Sequence, residues 1–78
     1  MNKSIFRAAY LAALQQAVVS KPQDYQWPKG LTVETVAGRM FAAMDKGSFN
    51  HDSHAYRLAT KALGIKFTRK AIVEFWNA

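Results

Sequence analysis

The chain has 78 residues, half of them hydrophobic, and carries a formal net charge of +6. It contains no cysteine, which excludes a disulfide framework and a zinc site built on thiolates. A chain this short is expected to form one domain. Its basic balance favours acidic partners, which include nucleic acid, an anionic membrane and the negative face of another protein.

The first predicted helix covers about residues 5–19, because apolar residues recur there at helical spacing. These residues are Ile5, Ala9, Ala12 or Ala13, Leu14 and Ala17. Asn2 or Ser4 is a candidate N-cap for this helix. The segment that follows, "SKPQDYQWPKG", holds two prolines and a glycine, and these residues exclude regular structure.

The second predicted helix covers about residues 32–46. Thr32 is a candidate N-cap, and Glu34 lies in the first turn, where the helix dipole favours negative charge. Gly47 is expected to end the helix. A turn rich in capping residues, "GSFNHDS", comes next.

The third predicted helix covers about residues 53–63 and the fourth about residues 68–77. Gly64 separates them, and Thr68 is a candidate N-cap for the fourth helix. Ala71, Ile72, Phe75 and Trp76 are expected to share one face of that helix. No segment alternates as a strand does. The sequence therefore predicts an all-α fold, a compact bundle of four short helices in a single helical domain over residues 1–78.

The core is expected to be thin, because thirteen residues are alanine. It would depend on a few large side chains. The predicted core residues are Ile5, Phe6, Leu14, Val36, Met40, Phe41, Leu58, Leu63, Ile72 and Phe75. A thin core gains stability from a partner or a second copy, so a homodimer is one expected assembly.

The N-terminal sequence has early Lys3 and Arg7 followed by an Ala/Leu-rich run, an order seen in signal peptides. Gln15 and Gln16 interrupt this run, and no small-x-small cleavage pattern precedes Lys21. No stretch reaches the roughly twenty apolar residues of a membrane span. We therefore expect a cytoplasmic protein without a membrane partner.

A group of five cations lies between residues 57 and 70 without an acidic residue among them. We call this group the basic strip: Arg57, Lys61, Lys66, Arg69 and Lys70. The last two lie in the first turn of the fourth predicted helix, where positive charge opposes the helix dipole. An anionic partner would offset that cost, so the basic strip is the predicted binding site for a protein partner or nucleic acid.

The segment Leu63-Gly64-Ile65 is typical of the corner of a helix-turn-helix, and Arg69 and Lys70 would lie where such a motif meets phosphates or base edges. The spacing differs, since Thr68 comes four residues after Gly64, and the usual cap comes about two residues after it. A helical hairpin that closes the core is therefore favoured. A small helix-turn-helix-like regulator that binds DNA or RNA is the alternative.

Three aromatic residues are candidate anchors for a base or a protein partner: Tyr25, Trp27 and Trp76. The first two lie in the long loop, and the favoured alternative is that they fold back over the thin core. His51, Asp52 and His54 are metal-compatible residues, but zinc would need a third or fourth ligand, and the sequence has no other histidine and no cysteine. Helix capping by Asp52 or Ser53, with exposed histidines, is therefore favoured over a metal site.

The sequence offers little catalytic chemistry. Its five carboxylates are dispersed, no cysteine nucleophile is present and no glycine-rich phosphate loop occurs. Serine, aspartate and histidine are neighbours between Ser48 and His54, but adjacency in sequence is not triad geometry. We predict no catalytic residue, no metal site and no cofactor, so the chain is not expected to be an enzyme.

The sequence "HAYRLATKALGIKFTRKAIVEFW", preceded by "GSFNHDS", resembles a signature of small stand-alone proteins of uncharacterised function encoded by bacteriophages. The resemblance covers about residues 47–76, as a helix, a Leu-Gly-Ile corner and a Thr-x-x-Ala-Ile helix. It implies a phage accessory protein in the cytoplasm of a host bacterium, where such proteins commonly bind and block or redirect a host machine. We therefore expect stoichiometric binding to a host factor through the basic strip, with a nucleic-acid-handling defence complex as one candidate.

Overall fold

The computed structural model describes residues 1–49 and 53–78. Its elements in chain order are α1 (Asn2–Ser20), a 3-10 turn (Pro22–Asp24), α2 (Val33–Asp45), α3 (His54–Leu63) and α4 (Arg69–Asn77). The described residues form no strand, and the radius of gyration is 11.9 Å. The prediction of an all-α, compact bundle of four short helices is confirmed.

Helix α1 is the element against which the other three helices pack, and its most extensive partner is α3. The buried side of α1 carries Phe6, Tyr10, Ala13, Leu14 and Ala17, at the three- and four-residue spacing that places side chains on one helix face. Alanines face it from α3, since Ala55 and Ala59 are fully buried. Small side chains at this contact allow the two helices to approach closely.

The core is built mainly from aromatic rings. Phe6 lies at its centre, with its ring 5.9 Å from that of Trp76 in an edge-on arrangement and 6.1 Å from that of Tyr56. The rings of Tyr10 and Tyr56 are 4.9 Å apart. Each aromatic side chain buries about 150–250 Å², so these few residues compensate for the many alanines.

The predicted core is partly confirmed. Phe6, Leu14 and Ile72 are buried, and the other predicted residues except Ile5 pack partly buried against the core. The prediction of Ile5 as a core residue was wrong, because its side chain is 50% exposed. One residue corresponds to a rotation of about 100° in a helix of 3.6 residues per turn, so Ile5 turns outward where Phe6 turns inward. The prediction missed the buried Tyr10 and Tyr56. Met44 and Trp76, which are also buried, were not among the predicted core residues but lie on the apolar faces predicted for the second and fourth helices.

Three helices begin at a hydroxyl side chain that accepts a backbone hydrogen bond. The Oγ1 atoms of Thr32 and Thr68 accept from the N–H groups three residues later at 3.1 Å, and Ser53 Oγ accepts from the Tyr56 N–H at 3.2 Å. These predicted caps are confirmed. The predicted cap of α1 was wrong, because Asn2 and Ser4 lie inside the helix, and its N-cap, Met1, makes no side-chain capping bond.

Two helices end at a left-handed glycine, as predicted. Gly64 has a φ of 71°, and the following N–H, that of Ile65, donates to the Thr60 carbonyl at 3.0 Å. Gly47 has a φ of 85°, and the Ser48 N–H donates to the Ala43 carbonyl at 2.9 Å. Both ends are Schellman motifs. They fix the direction in which the chain leaves α2 and α3.

In the part of the chain that the structure describes, no helix combines the length and the apolar content that a membrane crossing needs.

Candidate binding surface

The first two residues of the basic strip lie on the outer side of α3. Arg57 and Lys61 are both exposed, whereas Ala55, Tyr56, Ala59 and Thr60 face the interior. Residues four apart are neighbours on a helix surface. Arg57 and Lys61 therefore present adjacent positive charges to solvent.

A cation–π contact joins α3 to the connection between α3 and α4. The guanidinium carbon of Arg57 lies 4.6 Å from the centre of the Phe67 ring, and Phe67 itself packs partly buried against the core. The preceding residue, Lys66, is exposed. Arg57 is therefore held beside the segment that carries the next cation of the basic strip.

Lys66 and Lys70 share one shallow depression at the start of α4. Thr68, Ala71 and Glu74 complete its lining, and its volume is about 350 Å³. Glu74 lies one turn after Lys70 on the same helix, but among the residues that the structure describes no ion pair joins it to either lysine. The depression therefore presents two cations that form no ion pair with the carboxylates of residues 1–49 and 53–78.

The beginning of α4 is unfavourable for the helix on its own. Arg69 and Lys70 are exposed in the first turn, and no acidic residue lies there. The N-terminal end of a helix carries partial positive charge, so each of these cations costs about 0.3–1 kcal/mol. The predicted position of the two cations is confirmed, and a negatively charged partner would relieve the repulsion.

The ion pairs in the described part of the chain lie elsewhere. Asp45 on α2 pairs with Lys3 at 3.4 Å and with Arg7 at 3.6 Å. Lys3 Nζ and the guanidinium carbon of Arg7 also lie 5.5 and 5.4 Å from the centre of the Trp76 ring. These two cations cover the aromatic core. The cations of the basic strip, in contrast, form no ion pair with any carboxylate of residues 1–49 and 53–78.

The helix pair around Gly64 departs from a standard helix-turn-helix. Its second helix begins at the predicted cap, Thr68, and buries Ile72 and Trp76. Helices α3 and α4 both pack on α1 and make little close backbone contact with each other. This arrangement fits two helices that close a core on α1. It does not favour the alternative of a self-packed DNA-reading pair.

The predicted aromatic anchors lie against the core. Trp76 is only 1% exposed, so its prediction as a partner-facing anchor is corrected. It is an interior residue, packed edge-on against Phe6 and covered by Lys3 and Arg7. Tyr25 and Trp27 are partly buried, pack on the core and contact each other with ring centres 6.1 Å apart. Both side chains therefore fold back over the core, as the favoured alternative predicted.

Two residues of the histidine-rich turn, His51 and Asp52, lie outside the described residues. His54 is the first residue of α3, and Ser53 caps that helix. Within residues 1–49 and 53–78, no group of three or more metal-binding side chains comes together.

Two buried phenols lie at the centre of the molecule. Burial raises the pKa of Tyr10 to about 12, while a hydrogen bond with Ser53 opposes the increase and an electrostatic contribution from Tyr25 adds to it. Burial and the nearby Tyr10 also raise the pKa of Tyr56. The Tyr56 hydroxyl donates to Met44 Sδ at 3.4 Å. Both phenols are therefore held neutral as parts of the core.

One surface feature was missed by the sequence interpretation. A groove of about 500 Å³ runs between α1 and α3. Helix α1 lines it with Ala9, Ala12, Ala13 and Gln16, and helix α3 with Leu58, Lys61 and Ala62. The alanine spacing on α1 was visible in the sequence, but helical periodicity alone does not say which part of an apolar face other helices cover.

Comparison of the chain with protein-family models, curated proteins and solved structures gave no match. The resemblance of residues 47–76 to phage-encoded proteins therefore stays a prediction.

Proposed function

We propose that this chain is a phage accessory protein that binds a host bacterial factor and inhibits or modulates it through the basic strip. The observation that carries the proposal is the state of the five cations. All five are exposed, and Arg57 on α3 lies against Phe67, in the segment that leads into α4. A surface of this kind attracts a negatively charged partner and accelerates its association.

The energetics of α4 support the same proposal. Arg69 and Lys70 oppose the dipole of their own helix, and α4 nevertheless begins there because Thr68 caps it and Ile72 and Trp76 are buried. Two cations kept at an unfavourable position are consistent with selection for a contact that the free chain does not make. We propose that this contact is with a partner's acidic groups.

The proposed mode of action is stoichiometric binding, without a chemical step. A host complex that handles nucleic acid is a candidate target, because a basic surface can meet either an acidic rim of the protein or the phosphates that the complex holds. Binding there would block or redirect the complex. Tyr10 and Tyr56, whose pKa values are raised, are buried and take no part in the proposed contact.

The experiment is affinity capture from bacterial lysate with the full chain and two charge-matched variants. The first variant replaces three residues of the basic strip: Lys66→Glu, Arg69→Glu and Lys70→Glu. The second replaces three exposed lysines elsewhere: Lys21→Glu, Lys29→Glu and Lys46→Glu. Both variants have a formal net charge of zero, since each replacement lowers the charge of +6 by two.

The proposal predicts that the strip variant loses the captured partner and that the matched variant keeps most of it. Helical circular dichroism should remain in both, because all six side chains are exposed. Equal capture by the two variants would contradict a role for the basic strip. Nuclease treatment distinguishes the partner class: a protein partner stays bound, whereas loss of all captured material with added nuclease would favour the alternative of a nucleic-acid-binding regulator.

A further inference from the structure

The groove between α1 and α3 is open to solvent and mostly apolar, with Gln16 and Lys61 as its polar residues. Its α1 side is a row of small side chains, Ala9, Ala12 and Ala13, ended by the amide of Gln16. Its α3 side consists of Leu58 and Ala62 with a single charged residue, Lys61. The short alanine side chains of the α1 wall permit a third helix to approach closely on that side.

The charge of the groove restricts what can occupy it. Lys61 is the one charged residue in its lining, and the chain as a whole carries +6. An occupant that brings a carboxylate to Lys61 gains a charge-assisted contact at the edge of an apolar surface. A second copy of the chain would bring the same excess of positive charge, and a nucleic acid would place phosphates over the alanine floor.

We propose that this groove binds an acidic amphipathic helix of the partner protein. Large apolar side chains of that helix would lie on the alanine floor, and a carboxylate on its flank would meet Lys61. The inference rests on the proposed function, because Lys61 also belongs to the basic strip, and it names the chemistry of the segment that the partner presents.

The dimensions of the groove fit such a segment. The lining residues of α1 run from Ala9 to Gln16, seven steps that correspond to about 10 Å of helix. An amphipathic helix recognised in a groove uses anchors at positions i, i+3 or i+4, and i+7, and these anchors cover the same length. The groove volume of about 500 Å³ accommodates two or three such side chains.

The test begins with selection of the probe. A display library of helical peptides of about 18 residues, randomised over one face and its flanks, is selected against the full chain. The proposal predicts enriched peptides with large apolar residues at i, i+3 or i+4, and i+7 and with net negative charge. Enrichment of basic peptides, or no enrichment at all, would overturn it.

The site is then located with the enriched peptide and matched variants, using fluorescence anisotropy. Ala12→Glu places a charged side chain in the groove, and Ala42→Glu makes the same change at an exposed alanine of α2 outside it. Ala12→Glu should weaken binding by about tenfold or more, as for loss of a central interface contact. Ala42→Glu should change it by less than about twofold. Equal affinities would overturn the assignment.

Charge and competition complete the test. Lys61→Glu should weaken peptide binding by about three- to tenfold, and the loss of affinity should be smaller at high salt. Lys29→Glu should leave the affinity unchanged. Displacement of the peptide by a single-stranded oligonucleotide would instead assign the groove to nucleic acid. Sedimentation of the free chain as a dimer that Ala12→Glu dissociates would assign it to a second copy. Either result would overturn the proposal.

The failure of this inference can be told apart from failure of the proposed function. If Ala12→Glu still captures the host partner and the Lys66, Arg69 and Lys70 variant does not, the groove is excluded and the basic strip stands. If the strip variant captures normally and Ala12→Glu does not, the groove stands and binding through the strip is contradicted.

Discussion

The guanidinium carbon of Arg57 lies 4.6 Å from the centre of the Phe67 ring. This contact joins the outer face of α3 to the segment between α3 and α4. The spacing of the two residues in the sequence does not predict the contact. It holds one cation of the basic strip against the segment that precedes α4. A pre-positioned side chain loses less conformational freedom when a partner binds.

The Arg57–Phe67 contact predicts a measurable coupling between the two side chains. In a double-mutant cycle of Arg57→Ala and Phe67→Leu, the free energy of unfolding should show a coupling of about 0.5–1 kcal/mol, because leucine keeps the apolar contact but removes the ring face. Urea denaturation measures it. A parallel cycle with Arg39→Ala, an exposed arginine of α2, should show almost none. A coupling of zero for Arg57 would mean that the stacking contributes nothing in solution.

Two glycines should respond in opposite directions to the same substitution. Gly64→Ala should destabilise the fold by about 1 kcal/mol, because a side chain at a φ of 71° is strained although space is open around it. Gly38→Ala should stabilise it by about 0.5–1 kcal/mol, because Gly38 lies exposed inside α2 with nothing within 4 Å of an added Cβ. Thermal and urea unfolding measure both. Two changes of the same sign would contradict the assigned backbone conformations.

The N-cap of α4 predicts a specific loss of stability. Thr68→Ala removes the oxygen that accepts from the Ala71 N–H at 3.1 Å and should cost about 1 kcal/mol. Thr68→Ser keeps a capping oxygen and serves as the control, with a change of at most a few tenths of a kcal/mol. Urea unfolding of the three proteins tests the prediction. An alanine variant as stable as the serine variant would show that the cap is not needed.

Stability should fall at high pH because of the buried phenols. The pKa of Tyr10 rises from 10.0 to about 12 in the folded chain, so between these values the unfolded chain releases a proton that the folded chain keeps. Unfolding is then favoured as pH increases, by about 3 kcal/mol for a shift of two units. The full contribution of Tyr10 is present below about pH 10, and it is lost toward pH 12.

The measurement for the phenols is the free energy of unfolding at about pH 8 and about pH 11 in the parent and in Tyr10→Phe. The parent should lose more stability between the two conditions than the phenylalanine variant does, since other titrating groups are common to both proteins. Tyr56→Phe should reduce the pH dependence in the same direction, because the pKa of Tyr56 is also raised. Identical pH dependence in all three proteins would refute the account of these groups.

The features that the sequence predicted well are local. Thr32, Thr68, Gly47 and Gly64 act on backbone groups within a few residues, so residue type and position in the chain are sufficient to place them. The charges of the basic strip were equally visible. The start of α1 was predicted about three residues too late, because the candidate caps Asn2 and Ser4 lie inside the helix and the actual N-cap, Met1, makes no side-chain capping bond.

The features that sequence reasoning missed depend on tertiary contacts. Trp76 was expected as both a core-facing and a partner-facing residue, and only its position between Phe6, Lys3 and Arg7 decides for the core. Tyr10 was not among the predicted core residues, and it is buried in contact with the rings of Phe41 and Tyr56. The alanines of α1 satisfy helical spacing on two sides, and the packing of α3 decides which side forms the open groove.

The most direct measurement of the central claim is an NMR titration of the isotope-labelled 78-residue chain with the purified captured partner. The account predicts that amide and side-chain signals of the basic strip shift or broaden first, from Arg57 through Lys70. Signals of α2 and of the Pro22–Asp24 turn, which carry no residue of the basic strip, should change little. Changes confined to α2 and that turn, with the signals of residues 57–70 unaffected, would contradict binding through the basic strip.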